Sequence, residues 1–246
     1  MGGHPFNAHE YDQADYDSTI SSYMLCTAPR CGGTLLASLL YESDVMGVPH
    51  EYFHIEDVAE NLCERWGFTR PVKTTEYFDE VLKRRTGPNG VFGLKTHFSQ
   101  IYPLLGQKSV QKLLGSTKSF VHVTRKDVLA QAVSYAIAHQ SRSWSTLHTT
   151  RADAQYDSGL VNQFLEEILM QSLQWQRFFT INKISAIEIS YEDILEDPNR
   201  VCHQICESMD IKTAHDFSIK KSPLKQQTTT QNTEWIDRFR SEKKIF

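Results

Sequence analysis

The stretch "TAPRCGGTLLASLL", Thr27 to Leu40, constrains the fold more than any other part of the chain. "YMLCTA", Tyr23 to Ala28, is a short apolar run with β-prone residues. Gly32 and Gly33 follow, and in "TLLASLLYES" the leucines recur at helical spacing. The pattern is a strand, a tight loop and a helix. Such a loop sets backbone N–H groups at a helix N-terminus, a fixed partial positive charge suited to a phosphate or phosphosulfate. A nucleotide-hydrolysing P-loop, GxxxxGK[ST], carries a lysine before its Ser or Thr. Here Gly33 precedes Thr34, so γ-phosphoryl transfer lacks its usual cation. Arg30 contributes a full charge and a planar fork for anionic oxygens. By spacing alone, an ordinary strand-to-helix turn stays open beside the anion-binding reading.

The rest of the chain repeats the alternation. "GVFGLKTHF" (Gly90 to Phe98) and "SFVHVTR" (Ser119 to Arg125) read as strands. "RKDVLAQAVSYAIAH" reads as a helix with Asp127 in its first turn, and "SGLVNQFLEEILMQSLQWQRFF" as a long amphipathic helix with Ser158 as N-cap. "ISAIEISYEDILEDP", Ile184 to Pro198, reads as a strand ending in a turn, "NRVCHQICESM" as a helix, and the chain finishes in a basic helix from about Thr233. Strands alternating with helices imply an α/β fold of three layers, P-loop-type, with a mainly parallel sheet flanked by helices. At 246 residues and without a break in composition, one domain is expected over 21–246. The polar, acidic residues 1–20 are expected to be a flexible tail.

Composition narrows the partners. A net charge of -4 does not favour nucleic acid, so any anion site must be local. Five cysteines without paired spacing suit a reducing compartment, and the cytoplasm is expected. No stretch is apolar enough to predict a transmembrane segment, and "MGG" is followed by Phe6 where a myristoylation signal has Ser or Thr. Cys202, His203 and Cys206 are read as core packing, and no metal site is expected.

Several residues carry candidate chemistry. Arg125 ends a predicted strand and Ser134 lies nine residues on, so Arg125 and the loop at Arg30 can face one ligand from adjacent strands. A surface salt bridge from Arg125 to Asp127 is the alternative. In "GVPHEYF", Glu51 is flanked by Tyr52 and Phe53, which are expected to shield it, raise its pKa and suit it to act as a general base. Lys95 and His97, two apart on a strand, share a face. The polar segment from His139 to Asp157, with Trp144 embedded, is a candidate acceptor loop or a plain surface loop.

Taken in order, "RCGGTLL", "GVPHEYF", "GLKTHF", "RKDVLAQAVSY" and "TEWIDRFR" resemble the bacterial trehalose sulfotransferase family over about residues 23–240. The resemblance implies a sulfotransferase that uses 3'-phosphoadenosine 5'-phosphosulfate (PAPS), releases 3'-phosphoadenosine 5'-phosphate, and acts on a carbohydrate or glycolipid hydroxyl. Sulfuryl transfer needs no magnesium, which makes a Walker lysine dispensable. By resemblance, Arg30, Cys31, Gly32, Gly33 and Thr34 bind the phosphosulfate, and Arg125 with Ser134 binds the 3'-phosphate. Gln227 lies near the cofactor and Glu51 is the base; from its position on the strand, Lys95 is expected to stabilise the bridging oxygen. Glu51, Tyr52, His97 and Trp144 are the residues expected to meet the acceptor. A homodimer is compatible with the family.

The chain departs from the family pattern in three places. Cys31 and Gly33 replace the usual serines, Val48 an acidic residue, and Gln226 an arginine. A non-catalytic nucleotide-binding protein of this fold, or a P-loop small-molecule kinase, is the alternative to a sulfotransferase.

Overall fold

The computed structural model describes residues 5–16, 18–69, 73–144, 153–219 and 230–244. Four strands, β1 (Ser21–Thr27), β2 (Val91–His97), β3 (Thr117–Thr124) and β4 (Ile187–Ser190), form one sheet in the order β2-β1-β3-β4. Every pairing is parallel. The helices are α1 (Gly33–Tyr41), α2 (Glu60–Arg65), α3 (Thr74–Arg85), α4 (Phe98–Ile101), α5 (Lys108–Ser116), α6 (Val128–Ser141), α7 (Ser158–Asn182), α8 (Tyr191–Glu196), α9 (Pro198–Ser208) and α10 (Thr230–Lys243).

The period of two along β1 creates the layers. Tyr23 and Leu25 enter a core with Leu36, Leu39 and Leu40 of α1 and with Val201 and Ile205 of α9. Met24 and Cys26 enter the opposite core, with Phe78 of α3, Leu113 of α5 and Trp175 and Phe179 of α7. A strand covered on both faces needs apolar residues on both, and β1 is buried from Ser22 to Thr27. A third cluster joins α6, α7 and α10 through Val133, Ala136, Phe164, Trp235 and Phe239.

Helix starts follow local chemistry. Asp127 caps α6 by accepting from the Ala130 amide at 2.9 Å. The cap of α7 is Asp157, which accepts from the Leu160 amide, and the expected cap Ser158 is the first helical residue. At Ser190 the expected strand stops, because Ser190 and Asp193 form a capping box that starts α8.

The first residues depart from the expected loose tail. Phe6 is buried and packs edge-on against Tyr11, with ring centroids 4.9 Å apart. Asp12 reaches Arg65 at 2.8 Å and Arg85 at 3.0 Å, and Arg85, which has no solvent exposure, also donates to the Phe6 carbonyl at 2.8 Å. A polar composition suggested disorder, but two aromatics and the need to neutralise a buried guanidinium hold residues 5–16 against the domain. Asp12→Ala is therefore expected to cost about 3 kcal/mol, read as a shifted urea midpoint with an unchanged slope.

Candidate active site

The loop after β1 opens at the C-terminal edge of the sheet. Gln131 of α6 donates to the Pro29 carbonyl at 2.7 Å, pinning the turn. Arg30 has φ 66°, a left-handed conformation that costs a non-glycine residue about 1 kcal/mol. Gly32, at φ 87°, begins α1 without a side-chain cap, so its first-turn amides are left for an external acceptor. The Arg30 Nε donates to Ser134 Oγ at 3.1 Å and Nη1 to the Trp144 carbonyl at 2.6 Å. Burial and the like charge of Arg125 push the Arg30 pKa down to about 10.

Arg125 follows β3. Its guanidinium lies 5.0 Å from the ring centroid of Tyr191, and its buried Nε has no hydrogen-bond partner. Among the described residues Arg125 makes no salt bridge, since Asp127 is turned into the cap of α6. Two guanidiniums that repel each other, with one buried donor unused, are suited to an anion with more than one phosphate. Ser134 touches Arg30 rather than Arg125. Tyr191, the first residue of α8, escaped the sequence reading. It backs the loop so closely that a Cβ on Gly32 would sit 2.5 Å from its ring. Its only sequence signal is an aromatic directly after a strand end beside β3.

The base candidate is built on the other side of β1. Gly47, at φ 62°, turns the chain so tightly that a Cβ there would meet the Val91 carbonyl at 2.5 Å. His50 then pairs with Leu94, and the Lys95 amide donates to the His50 carbonyl at 3.1 Å, so residues 48–51 run beside β2. That registration brings Glu51 against Lys95. Glu51 Oε1 accepts from Lys95 Nζ, and Oε2 accepts from Gln100 Nε2 at 2.7 Å and lies 3.4 Å from His97 Nε2.

The expected raised pKa of Glu51 is overturned. Burial does push it up, but the Lys95 ammonium, the His97 ring and the hydrogen bonds from Lys95 and Gln100 outweigh burial and hold the carboxyl well below its usual range. His97, whose Nδ1 lies 2.8 Å from Thr27 Oγ1, is pushed down from 6.5 to about 4, mainly by burial.

Other expected site residues are placed differently. Tyr52 is fully buried, donates to the Val48 carbonyl at 2.5 Å and stacks on Phe92, so it is a core residue and offers no surface to an acceptor. Val48 is also fully buried. Trp144 is 45% exposed and packs edge-on to Tyr135, with its carbonyl on Arg30. Gln226, Gln227 and most of the acceptor loop after Trp144, including His148, lie outside the described residues. Cys202 and Cys206 are core residues, and among the described residues no group of His, Cys, Asp and Glu is arranged to hold a metal. No described helix is long and apolar enough to cross a membrane.

An all-parallel sheet whose first loop offers uncapped amides, an arginine at position 30 and a glycine in place of the Walker lysine has the P-loop-type architecture of sulfotransferases. The family model described as Stf0 sulphotransferase matches residues 22–242, and the chain belongs to that family. It is 24% identical to a trehalose 2-sulfotransferase of Mycolicibacterium smegmatis, over 89% of this chain and 94% of the relative. It is 25% identical to a trehalose 2-sulfotransferase of Mycobacterium tuberculosis, over 91% of this chain and 96% of the relative.

The depressed pKa of His97 fixes a sign for acid stability. Above pH 6.5 the ring is neutral folded or unfolded and contributes nothing to the slope. As pH falls from 6.5 to about 4 the unfolded chain binds a proton that the folded chain does not, so stability is lost across that window. Thermal melts of wild type and His97→Asn are expected to show a shallower acid slope in the variant. Parallel curves would mean that His97 is not the group responsible.

Proposed function

We propose that the chain transfers the sulfuryl group of PAPS to a hydroxyl of a carbohydrate or glycolipid acceptor, with Glu51 as general base. The carrying observation is a buried, ionised Glu51 held by Lys95, His97 and Gln100 beside the anion loop. Bound PAPS would supply a sulfuryl group already activated by its phosphate leaving group.

The chain's own residues divide the work. The first-turn amides of α1 and the Arg30 guanidinium hold the phosphosulfate, and Arg125, backed by Tyr191, receives the 3'-phosphate with Ser134 near by. Positioning and preorganised charge supply most of the rate in transfers of this type. Lys95 stands between the two halves of the site. Its Cε is 3.0 Å from the place a Cβ on Gly33 would take, while its Nζ binds Glu51. When the ammonium turns from Glu51 toward negative charge at the loop, Glu51 loses its strongest cation while it stays buried. Its basicity then rises as the acceptor hydroxyl is presented. A base that is ionised at rest and strengthened by the movement of one lysine meets both requirements of the step.

The names of the relatives, trehalose 2-sulfotransferases, support a sugar acceptor. Trehalose is the first sugar to assay. The described cysteines are free and buried, which is compatible with a cytoplasmic setting. A homodimer would find an apolar face on α7, where Leu169, Met170 and Leu173 are exposed.

Isothermal titration tests the donor site. Micromolar binding of 3'-phosphoadenosine 5'-phosphate without magnesium is expected, about -8 kcal/mol, with weak binding of ATP and magnesium. The Glu51→Ala variant is expected to lose at least about a hundredfold in transfer rate while bisphosphate affinity stays within about twofold. Undiminished transfer in that variant would remove Glu51 from the mechanism, and no bisphosphate binding would overturn the donor assignment.

A further inference from the structure

Helix α7 carries polar groups that neither donor binding nor the base requires. Trp175 donates its indole N–H to the Thr27 carbonyl at 3.0 Å, which fastens the helix to the end of β1 next to His97 and Glu51. Gln171 and Glu167 lie one and two turns earlier on the same face, so they run outward past the C-terminal edge where the site opens. Glu167 Oε1 accepts two hydrogen bonds, from Tyr135 Oη at 3.3 Å and from Gln171 Nε2 at 3.2 Å. Its other oxygen has no hydrogen-bond partner among the described residues. Gln171 is 3% exposed, and its carbonyl oxygen is buried without a partner.

The surroundings make these groups unusual. Much of the α6 and α7 contact is apolar, with Tyr135 stacked on Phe164 at 3.9 Å beside Val133, Ala136 and Ile168. A buried amide oxygen without a partner is unfavourable there unless a donor arrives, and Glu167, which Gln171 holds, is half-buried. Tyr135 also places them. Its sequence neighbour Ser134 holds Arg30, and the charge of Glu51, after burial and Glu167, contributes to raising the phenol pKa. The three residues therefore belong to the same crevice as the base.

We infer that Glu167, oriented by Tyr135 and Gln171, recognises the acceptor by receiving hydroxyl groups beside the one that reacts. Gln171 Oε1 and the unpartnered Glu167 oxygen are both acceptors, so the ligand they suit is a donor-rich, neutral polyol. A carboxylate-bearing acceptor would meet repulsion from Glu51 and Glu167 together. The exposed ring of Trp144, its centroid 5.9 Å from that of Tyr135, gives the apolar side that sugar rings also use. This inference rests on the carbohydrate reading above and deepens it.

The test is a steady-state assay with PAPS and a panel of neutral saccharides (glucose, trehalose and maltose), with the best acceptor of the wild type carried forward. Glu167→Gln keeps the size of the side chain and a carbonyl for Tyr135 but removes the charge. The acceptor KM is expected to rise about tenfold or more, with kcat changed much less and bisphosphate affinity and melting temperature near wild type. Tyr135→Phe leaves Glu167 held by Gln171 alone and is expected to raise KM by a smaller factor. An unchanged KM in Glu167→Gln overturns the inference. So does a joint fall in melting temperature and bisphosphate affinity in both variants, which would mark a helix-packing role. If the wild type binds the bisphosphate but sulfates none of the saccharides, the carbohydrate reading fails and this inference falls with it, while the donor site stands.

Discussion

The buried pair of Glu51 and Lys95 is the contact on which the chemistry of this end of the sheet depends. Removing two charges from water costs several kcal/mol for each ion, and only close geometry with further hydrogen bonds offsets it. Here Gln100 donates to the carboxylate, and α4, which carries Gln100, starts directly after His97 at the end of β2. The turn at Gly47 and the pairing of His50 with Leu94 exist in the same registration. A shift of one residue along β2 would put Lys95 on the opposite face and leave Glu51 without a cation.

Topology explains why Glu51 and the loop after β1 meet. From β1 the chain goes to β2 on one side and afterwards to β3 and β4 on the other, so β1 stands where the strand order reverses. Open parallel sheets form their ligand crevice at such a point. The two sides differ in charge. Arg30 and Arg125 repel each other on the side of β3, while Glu51 holds its lysine on the side of β2. With a net charge of -4 for the whole chain, this local separation sets two cations on one side of β1 beside a paired carboxylate on the other.

Much of this was legible because it depends on short-range periods. The strand, loop and helix at 23–41 follow from apolar alternation and two glycines, and the shared face of Lys95 and His97 follows from the period of a strand. What the sequence hid depends on contacts between distant residues. Burial gave the right sign for one contribution to Glu51, but the dominant cation lies 44 residues further on. Tyr52 looked like a site residue because it adjoins Glu51, yet residues 48–51 run beside β2 and Tyr52 turns into the core against Phe92. Phe6 and Asp12 looked like a solvated tail until Arg85 supplied the buried charge that Asp12 neutralises. Tyr191 and Glu167 carry no motif, and only the folded chain brings them to Gly32 and to Tyr135.

The departures from the family's loop form one connected arrangement. Cys31 is buried at 1% exposure, so its side chain is part of the core and its place in the loop is filled by backbone. At Gly33 a serine would carry its Cβ to 2.7 Å from Thr27 Cγ2 and 3.0 Å from Lys95 Cε. A side chain at position 33 therefore requires Thr27, which meets His97, to shift and Lys95, which holds Glu51, to give a little. The loop gives up a neutral hydroxyl, worth about 1 kcal/mol as a hydrogen bond, and leaves room for the stem of Lys95 on its way to Glu51. The uncapped amides of α1 and the Arg30 guanidinium are stronger partners for an anion than a neutral hydroxyl, so the loop keeps its main donors without the family serines.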